Sequence, residues 1–358
     1  MPLTLGGGRI PPFWMGNKPA RAAASADGYG IGAEYVEIAL INNMPDAALE
    51  DTELQFLELL EAAGSDIPMR VKLYSLPNLP RGDRGHQHLR SFYFGIDDLL
   101  NSRFDGVIVT GTEPRQPELR NEPYWPALAD VLDWAEQNTC STILSCLAAH
   151  ASVLHGDGID RCRLSDKQFG VFDFAKAANH PLTGGIGEPL RFPHSRWNEV
   201  EADALAACGY LVLTQSAEGA VDSFVKKRKQ SLFVYFQGHP EYGAQTLLKE
   251  YRRDIKRFLR QERDTYPSMP KGYFGAPATK LLTDFRELVL SDRREDIIAD
   301  FPEPSVVGTL QNKWRSSARG IYRNWLQYIV SKKAETSAFA AMTPVRQMQS
   351  RPANTELA

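Results

Sequence analysis

STILSCLAAH, residues 141–150, passes from an apolar, strand-like run into small residues that favour a helix. Cys146 stands at this junction. The first half of the chain repeats the alternation of strand and helix, which is typical of a parallel sheet with helices on its faces. Such sheets bind ligands where loops leave the carboxyl ends of the strands. The stretch therefore predicts a doubly wound α/β fold with Cys146 at the ligand-binding end of the sheet.

The segments around this stretch supply the other predicted elements. Apolar runs of strand length predict strands at YVEIALIN (35–42), PMRVKLYSL (68–76) and FDGVIVTG (104–111). Apolar residues near the helical period predict helices over 46–64 and 123–137. The order of these elements is the alternation that a mainly parallel sheet requires.

The pattern changes in the second half of the chain. From about residue 168, short strands with polar turns predict an antiparallel extension of the sheet. Two helices follow, an amphipathic one over 244–264 and a last packed one over 313–330. The earlier stretch RGDRGHQHLR, residues 81–90, is predicted to be a polar loop without a metal site.

The same patterns predict the domain organisation. We expect one domain over 35–333, with an inserted helical segment at about 274–306. The Gly-, Pro- and Ala-rich arm over 1–34 is predicted to be partly flexible. The tail over 334–358 lacks an apolar stripe and is predicted to be disordered.

Composition limits the classes of function. The 358 residues are 43% hydrophobic and 24% charged, which suffices for a substantial core. The formal net charge of -3 gives no general attraction to nucleic acid or to an acidic membrane. The four cysteines form no CxxC pair and no dense framework, which argues against a zinc site and a disulfide-stapled secreted domain. We therefore expect a cytoplasmic protein with small-molecule substrates and no metal, nucleic acid or membrane partner.

Cys146 has two interpretations. A cysteine between a strand and a helix has the geometry of a nucleophile elbow, with the thiol exposed at the positive end of the helix dipole. Elbows usually carry glycines beside the nucleophile, whereas the flanking residues here are Ser145, Leu147 and Ala148. Free cysteines are also among the most buried residues. From this stretch alone, a core cysteine and a nucleophile both remain open.

A cysteine nucleophile needs a base, and His239 stands out among the seven histidines. The segment LFVYFQGHPEY puts His239 just after an apolar strand, with Glu241 two residues further on. A cysteine, a histidine and a carboxylate that orients the imidazole form a catalytic triad. The alternative is a turn histidine beside a surface glutamate, and spacing alone does not separate the two.

Six blocks of sequence together resemble the homoserine O-succinyltransferase family. They follow the family's order from about residue 35 to 332 and read INNMPDAALEDTELQFLELL, FDGVIVTG, PYWPALADVLDWA, FPHSRW, GHPEYGAQTLLKEYRRD and WRSSARGIYRNWLQYIV. Their occurrence in one chain is far more specific than any single motif. The resemblance implies a fold like that of the class I glutamine amidotransferases.

The resemblance also implies an acyl transfer in two steps. A cysteine takes a succinyl or acetyl group from coenzyme A as a thioester, and the hydroxyl of an amino acid, by default homoserine, then attacks it. Cys146 falls on the family's nucleophile, His239 on its base and Glu241 on the orienting acid. Ping-pong kinetics, succinyl-CoA or acetyl-CoA as co-substrate with no bound cofactor, a role in methionine biosynthesis and a homodimer follow from the resemblance.

Three further residues fall on positions that the family uses for substrate contact, namely Lys167, Ser195 and Arg253. A hydroxyl and two cations suit the carboxylate of an amino acid or of a dicarboxylic acyl group. Without the resemblance, Lys167 and Arg253 would be interpreted as solvated surface charges.

The chain departs from the family directly after the motif NMP. The family usually has lysines there, one of them for stabilising the oxyanion, whereas residues 46–48 read DAA. Backbone amides then remain as the oxyanion hole, and Leu147, Gly111 and Thr112 are the candidates to supply them.

The loop TGTEPRQPELRNEPYW differs from the family's acyl-specificity loop. By gapless matching, Arg115 falls where the family has glycine or glutamate. An arginine there is either a partner for the succinyl carboxylate or a surface residue, and both interpretations remain open.

Other functions also remain open from the sequence. A glutamine amidotransferase-like cysteine hydrolase passes the acyl group to water, but its usual G-x-C-x-G elbow is absent here. A non-enzymatic relative is consistent with the missing lysine, whereas Cys146, His239 and Glu241 together argue against it. An acyltransferase that acts on serine or another acceptor in a specialised pathway is a further alternative.

Overall fold

The computed structural model of the chain describes residues 3–8, 11, 14 and 35–342. Within this part, ten strands form one sheet. They are β1 (Leu3–Leu5), β2 (Val36–Ile41), β3 (Met69–Tyr74), β4 (Gly106–Val109), β5 (Ser141–Ser145), β6 (Cys162–Lys176), β7 (Leu190–Glu199), β8 (Leu211–Gln215), β9 (Val221–Arg228) and β10 (Ser231–Phe236).

The strands are arranged in the order β1-β3-β2-β4-β5-β10-β9-β8-β6-β7. The pairs from β1 to β10 in this order are parallel, and the pairs from β10 to β7 are antiparallel. The predicted mainly parallel sheet with an antiparallel extension is therefore confirmed. The central strands β4, β5 and β10 present their carboxyl ends side by side.

The helices of the described residues connect and cover these strands. They are α1 (Asp46–Ala63), α2 (Asp83–Phe92), α3 (Ile96–Leu100), α4 (Trp125–Asn138), α5 (Leu147–Asp157), α6 (Ala202–Ala207), α7 (Thr246–Leu259), α8 (Ala276–Ser291), α9 (Glu303–Val307) and α10 (Arg315–Met342). Short 3-10 turns lie at Gly6–Gly8, Leu119–Asn121, Pro181–Thr183 and Glu295–Asp300.

Helices cover both faces of the sheet, as the prediction of a doubly wound fold requires. Strand β2 shows why, because its side chains alternate between the faces. Ile38 and Leu40 are buried in one core with residues of α1 and α10. Ala39 and Ile41 are buried in a second core with residues of α4 and α5. A strand that is apolar on both faces must be covered twice, and its sequence is accordingly a continuous apolar run.

A third core lies around α7. Its apolar face, including Tyr251 and Ile255, packs with buried residues of α8 such as Leu282 and with Trp314, which precedes α10. The helices α8 and α9 occupy the segment predicted as an inserted helical region at about 274–306. Whether this region and the sheet form the single predicted domain over 35–333 stays a prediction.

The C-terminal helix is longer than predicted. Helix α10 continues to Met342, so the prediction of disorder from residue 334 is wrong for 334–342. The segment AETSAFAAM has no apolar stripe, but it is rich in alanine, which has the highest intrinsic helix propensity. The rest of the predicted tail, 343–358, and most of the predicted arm over 1–34 lie outside the described residues; β1, within the arm, pairs with β3.

The stretch 81–90, predicted to be a loop, is mostly helical. Helix α2 lies against α1, and the Asp46 carboxylate accepts a hydrogen bond of 2.8 Å from the backbone N–H of Gly82, directly before the helix. His88 reaches Glu53 of α1 at 2.7 Å. These contacts come from residues distant in sequence, so local patterning does not predict the helix. In the part of the chain described, no helix is long and apolar enough to cross a membrane.

Candidate active site

Cys146 lies in a sharp turn between β5 and α5. Its backbone angles, φ 53° and ψ -115°, belong to a conformation that residues other than glycine rarely adopt. The turn is crowded, because a Cβ at Gly111 would lie 3.0 Å from Leu147 N and 3.3 Å from Ser145 O. The glycine that relieves this crowding therefore comes from the loop after β4 and not from the residues flanking Cys146. This is the strained strand-to-helix turn that exposes a nucleophile at the end of a sheet.

His239 follows β10, the strand beside β5. Phe236, the last residue of β10, pairs in parallel register with Ser145, the last residue of β5. The loops that carry His239 and Cys146 therefore leave the sheet at the same level. The two side chains are close enough to form a hydrogen bond.

Glu241 holds the imidazole of His239. The Glu241 Oε1 atom lies 2.8 Å from His239 Nδ1, which leaves Nε2 for the thiol of Cys146. Ser145 Oγ also donates to Glu241 Oε1, at 3.5 Å. On the ring face, Tyr242 stacks on His239 with the centroids 4.2 Å apart. The imidazole is thus restrained both in its plane and along its face.

The electrostatics of this group favour a charged imidazole. Burial by itself lowers the pKa of His239, but the negative charges of Cys146 and Glu241 outweigh burial. The pKa of His239 is therefore raised well above its ordinary value. An imidazolium beside a thiolate is the form in which a cysteine is ready to attack a carbonyl carbon.

The three predicted oxyanion residues lie around the nucleophile. Leu147 is the first residue of α5, where the backbone N–H has no acceptor within the helix. Gly111 packs directly against that nitrogen, with no room for a side chain between them, and Thr112 lines the cleft beside it. The fold brings together the residues that the sequence nominated, and their role stays a prediction.

Asp46, which stands where the family has lysines, has a structural role. Its carboxylate accepts the N–H of Gly82 and lies 3.3 Å from the buried guanidinium of Arg81. A Cβ at Gly85 would overlap Asp46 Oδ1 at 2.1 Å, so α2 approaches Asp46 too closely for a larger residue. The cation of Arg81 is engaged in this contact and in a hydrogen bond to Ser75 Oγ at 3.0 Å.

Lys167, Ser195 and Arg253 lie together on another wall of the cleft. Asp254 pairs with Lys167 at 3.3 Å and with Arg253 at 3.1 Å. Burial raises the pKa of Asp254, but the two cations together lower it below its ordinary value. Glu250 accepts a hydrogen bond from Ser195 Oγ and lies 3.9 Å from Lys167.

Glu250 also connects this group to the triad. It accepts a hydrogen bond of 2.7 Å from the hydroxyl of Tyr242, the residue that stacks on His239. The sequence prediction missed Tyr242, Glu250 and Asp254, although all three belong to the block GHPEYGAQTLLKEYRRD. The helical spacing of Glu250, Arg253 and Asp254 on α7 was the signal that could have identified them.

Arg115 does not join these residues. It is exposed and lines a smaller depression of about 290 Å³, with Arg81 and Pro114, rather than the cleft that contains Cys146. The loop around it is held by Glu122, whose carboxylate accepts the backbone N–H groups of Arg115 and Gln116. The contact of Arg115 with an acyl group stays a prediction, and its position does not support it.

Two buried histidines, His150 and His194, lie next to the site. Burial lowers the pKa of His150 to about 3, and its Nε2 lies 2.9 Å from Gln237 Oε1. Burial likewise lowers the pKa of His194 to about 4, and its Nε2 lies 3.2 Å from Asp222 Oδ1. A Cβ at Gly238 would lie 2.7 Å from both His194 and Asp222, so this pair fixes the backbone just before His239.

All of these groups surround one cleft of about 1540 Å³. Cys146, His239 and the polar wall of Lys167 and Ser195 line it together. Arg161 and Arg196, which the sequence prediction also missed, line the cleft close enough to Cys146 to interact electrostatically. The cleft thus combines a thiol, an oriented imidazole and several cations, a set that suits acyl transfer from an anionic donor.

Comparison with known proteins identifies the family to which the chain is similar. The family model for homoserine O-succinyltransferase matches residues 22–336. The homoserine O-succinyltransferase of Rhodopseudomonas palustris is 43% identical over 322 residues, covering 88% of this chain and 96% of that protein. That of Bradyrhizobium japonicum is 43% identical over 312 residues, covering 87% and 95%. Among solved structures, a glutamine amidotransferase from Thermotoga maritima is 12% identical, with a TM-score of 0.47 over 83% of this chain and 99% of that chain.

Proposed function

Because the chain belongs to the homoserine O-succinyltransferase family, we propose that it moves a succinyl group from succinyl-CoA to the hydroxyl of homoserine through a thioester on Cys146. One observation carries the proposal. Cys146 and the pair of His239 and Glu241 follow adjacent parallel strands, so a nucleophile and an oriented base meet at the end of the sheet.

The first half-reaction forms the thioester. His239 takes the proton of the Cys146 thiol, and Glu241 stabilises the resulting imidazolium. The thiolate attacks the carbonyl carbon of the acyl-CoA, whose carbonyl oxygen becomes an oxyanion. When the bond to the coenzyme A sulfur breaks, that sulfur leaves and takes a proton from His239.

The second half-reaction consumes the thioester. His239, now neutral, takes the proton of the homoserine hydroxyl, and the oxygen attacks the thioester carbonyl carbon. The bond to Cys146 breaks, the ester leaves, and the proton held by His239 neutralises the released thiolate. One histidine thus serves as base in each step. Coenzyme A leaves before the acceptor reacts with the thioester, which matches ping-pong kinetics.

The oxyanion of both steps needs hydrogen-bond donors in place of the family's lysine. We assign this role to the backbone N–H of Leu147 at the start of α5 and to the amides of Gly111 and Thr112. The contact between Gly111 and Leu147 N supports the assignment, because it puts the two backbones side by side next to Cys146.

The acceptor needs a partner for its α-carboxylate and its ammonium group. Lys167, Ser195 and Arg253 supply two cations and a hydroxyl for the carboxylate. Glu250, which accepts from both Ser195 and Tyr242, is a negative group on the same wall and suits the ammonium.

The test of this function is a substrate matrix. The protein is mixed with succinyl-CoA or acetyl-CoA and with homoserine, serine or no acceptor, and release of the coenzyme A thiol is followed together with the mass of the product. We expect the highest kcat/KM for succinyl-CoA with homoserine, and parallel lines in double-reciprocal plots. Thiol release that is equally fast without an acceptor would identify a hydrolase instead, and preference for acetyl-CoA or serine would correct the substrates.

Three general features also remain proposals. We propose a cytoplasmic setting, a homodimer and the division of the chain into an arm (1–34), one domain from residue 35 to the end of α10, and a tail after it. Light scattering after size-exclusion chromatography tests the dimer, and limited proteolysis with mass analysis tests the boundaries.

A further inference from the structure

Arg161 is a cation of the cleft that has no fixed partner among the described residues. It lies between α5 and β6, is only partly exposed, and lines the cleft with Cys146. It forms no hydrogen bond or ion pair with any residue that the structure describes. Other cations of the cleft are engaged: Lys167 pairs with Asp254, and Arg163 lies over the ring of Trp197 at 5.0 Å.

The neighbours of Arg161 do not hold its guanidinium in a fixed contact. Tyr124, close enough to interact electrostatically with Arg161, has a buried hydroxyl without a hydrogen-bond partner in the described part of the chain. Glu122 also faces Arg161, but its Oε1 atom accepts the N–H groups of Arg115 and Gln116. Of these groups only Arg161 lines the cleft, and a partly buried guanidinium without an acceptor is costly to leave unpaired.

Arg161 is also close to the reacting atom. Its guanidinium interacts electrostatically with the thiolate of Cys146, and the same holds for Arg196. Arg196, however, is committed: its guanidinium donates to His194 Nδ1 at 3.2 Å and to the carbonyl of Asn198 at 2.7 Å. Of these two arginines facing the nucleophile, Arg161 is therefore the one available to bind a group attached to it.

We infer that Arg161 binds the free carboxylate of the dicarboxylic acyl group and so selects succinyl over uncharged acyl groups. This inference rests on the proposed function. A succinyl group carries its carboxylate two methylene groups from the thioester carbonyl, and a planar guanidinium binds a carboxylate through two parallel hydrogen bonds. An acyl group without a free carboxylate leaves the guanidinium of Arg161 unpaired. A site built to bind a polar group discriminates strongly against analogues that lack this group.

The experiment compares two donors of equal chain length, succinyl-CoA and butyryl-CoA, in transfer to homoserine. Arg161→Gln is expected to lower kcat/KM for succinyl-CoA by about 10- to 100-fold and to change that for butyryl-CoA by less than about threefold. Arg161→Lys, which keeps the charge but not the paired donors, should lie between wild type and Arg161→Gln. Arg163→Gln is the matched control, because it removes a cation two residues away and should leave the ratio of the two donors unchanged.

The outcomes separate this inference from the proposed function. An equal loss with both donors would mean that Arg161 contacts the coenzyme or supports the fold, and would overturn the inference alone. So would an active Arg161→Gln variant with the wild-type ratio. Wild-type protein that transfers neither acyl group would overturn the proposed function and the inference with it.

Discussion

The backbone N–H of Cys146 donates a hydrogen bond of 2.8 Å to the carbonyl of Phe236, the last residue of β10. The nucleophile is thereby tied to the strand that leads into His239. Strands β5 and β10 are paired along the whole length of β5, so the distance between nucleophile and base depends on the sheet rather than on mobile loops. Sites held by regular elements keep their geometry more accurately than sites on loops alone.

Gly111→Ala is expected to lower kcat by roughly 100-fold, because the added methyl group would crowd the N–H of Leu147 that we assign to the oxyanion. Steady-state kinetics and a thermal unfolding curve measure the effect. Gly95→Ala is the control, since a Cβ at Gly95 meets nothing within 4 Å. A folded Gly111→Ala protein with normal kcat would remove Gly111 and Leu147 from the oxyanion hole.

Glu241→Gln should lower the pKa of His239, because the carboxylate of Glu241 is one of the two charges that raise it. The thiolate of Cys146 then loses its charged partner near neutral pH, and turnover should fall on the order of 100-fold. The rate of Cys146 alkylation by iodoacetamide, measured from about pH 5 to 9, should be lower in the variant near neutral pH. Glu218→Gln, at an exposed turn, serves as control, and identical pH profiles for all three proteins would exclude the triad.

Asp46→Lys tests the structural role of the first residue after the motif NMP, a stretch where the family has lysines. The substitution removes the acceptor for Gly82 N–H and puts a like charge beside Arg81. We expect a loss of about 1 to 2 kcal/mol in the free energy of unfolding, measured in urea. Ala47→Lys adds the same cation at the exposed neighbouring position and should be nearly neutral. Equal stability of the two variants would contradict the assignment of Asp46 as the anchor of α2.

Acid should destabilise the fold through His150 and His194. Their pKa values in the folded protein, about 3 and about 4, lie below the ordinary value of 6.5, so the unfolded chain binds more protons. The stability that they contribute is therefore complete above pH 6.5 and is lost as the pH drops toward the folded-state values. Between pH 7 and pH 5, protonation of each histidine in the unfolded chain should lower the free energy of unfolding by about 2 kcal/mol.

Urea unfolding at the two pH values measures this loss. His194→Gln removes one of the titrating groups, and its stability should depend less on pH even if it is lower throughout. An unchanged pH dependence in this variant would show that His194 is not a source of the acid sensitivity.

The strands of the sheet could be predicted because they carry local signals, whereas the triad was assigned through the family resemblance. The apolar runs of β2 and β5 mark strands covered on both faces, and His239 and Glu241 follow the equally apolar β10. The pairing of β10 with β5, which makes His239 a neighbour of Cys146, is a matter of topology. No spacing in the sequence could establish it.

The features of the structure that the sequence did not predict also depend on contacts between residues distant in the sequence. Helix α2 depends on Asp46 and Glu53 of α1, which lie far away in the sequence. The glycine that permits the elbow is Gly111, after a neighbouring strand, whereas the local pattern around Cys146 showed no glycine. Arg161 could not be preferred to Arg115 from the sequence, because only the folded chain shows which arginine shares a cleft with the nucleophile.

The most direct test of the central claim is the intact mass of the protein after brief mixing with succinyl-CoA in the absence of an acceptor. Wild-type protein and Cys208→Ala should gain one succinyl group, Cys146→Ala should gain none, and homoserine should discharge the adduct. A folded wild-type protein that transfers succinyl to homoserine but never carries it, or that carries it equally after Cys146→Ala, would contradict a thioester on Cys146.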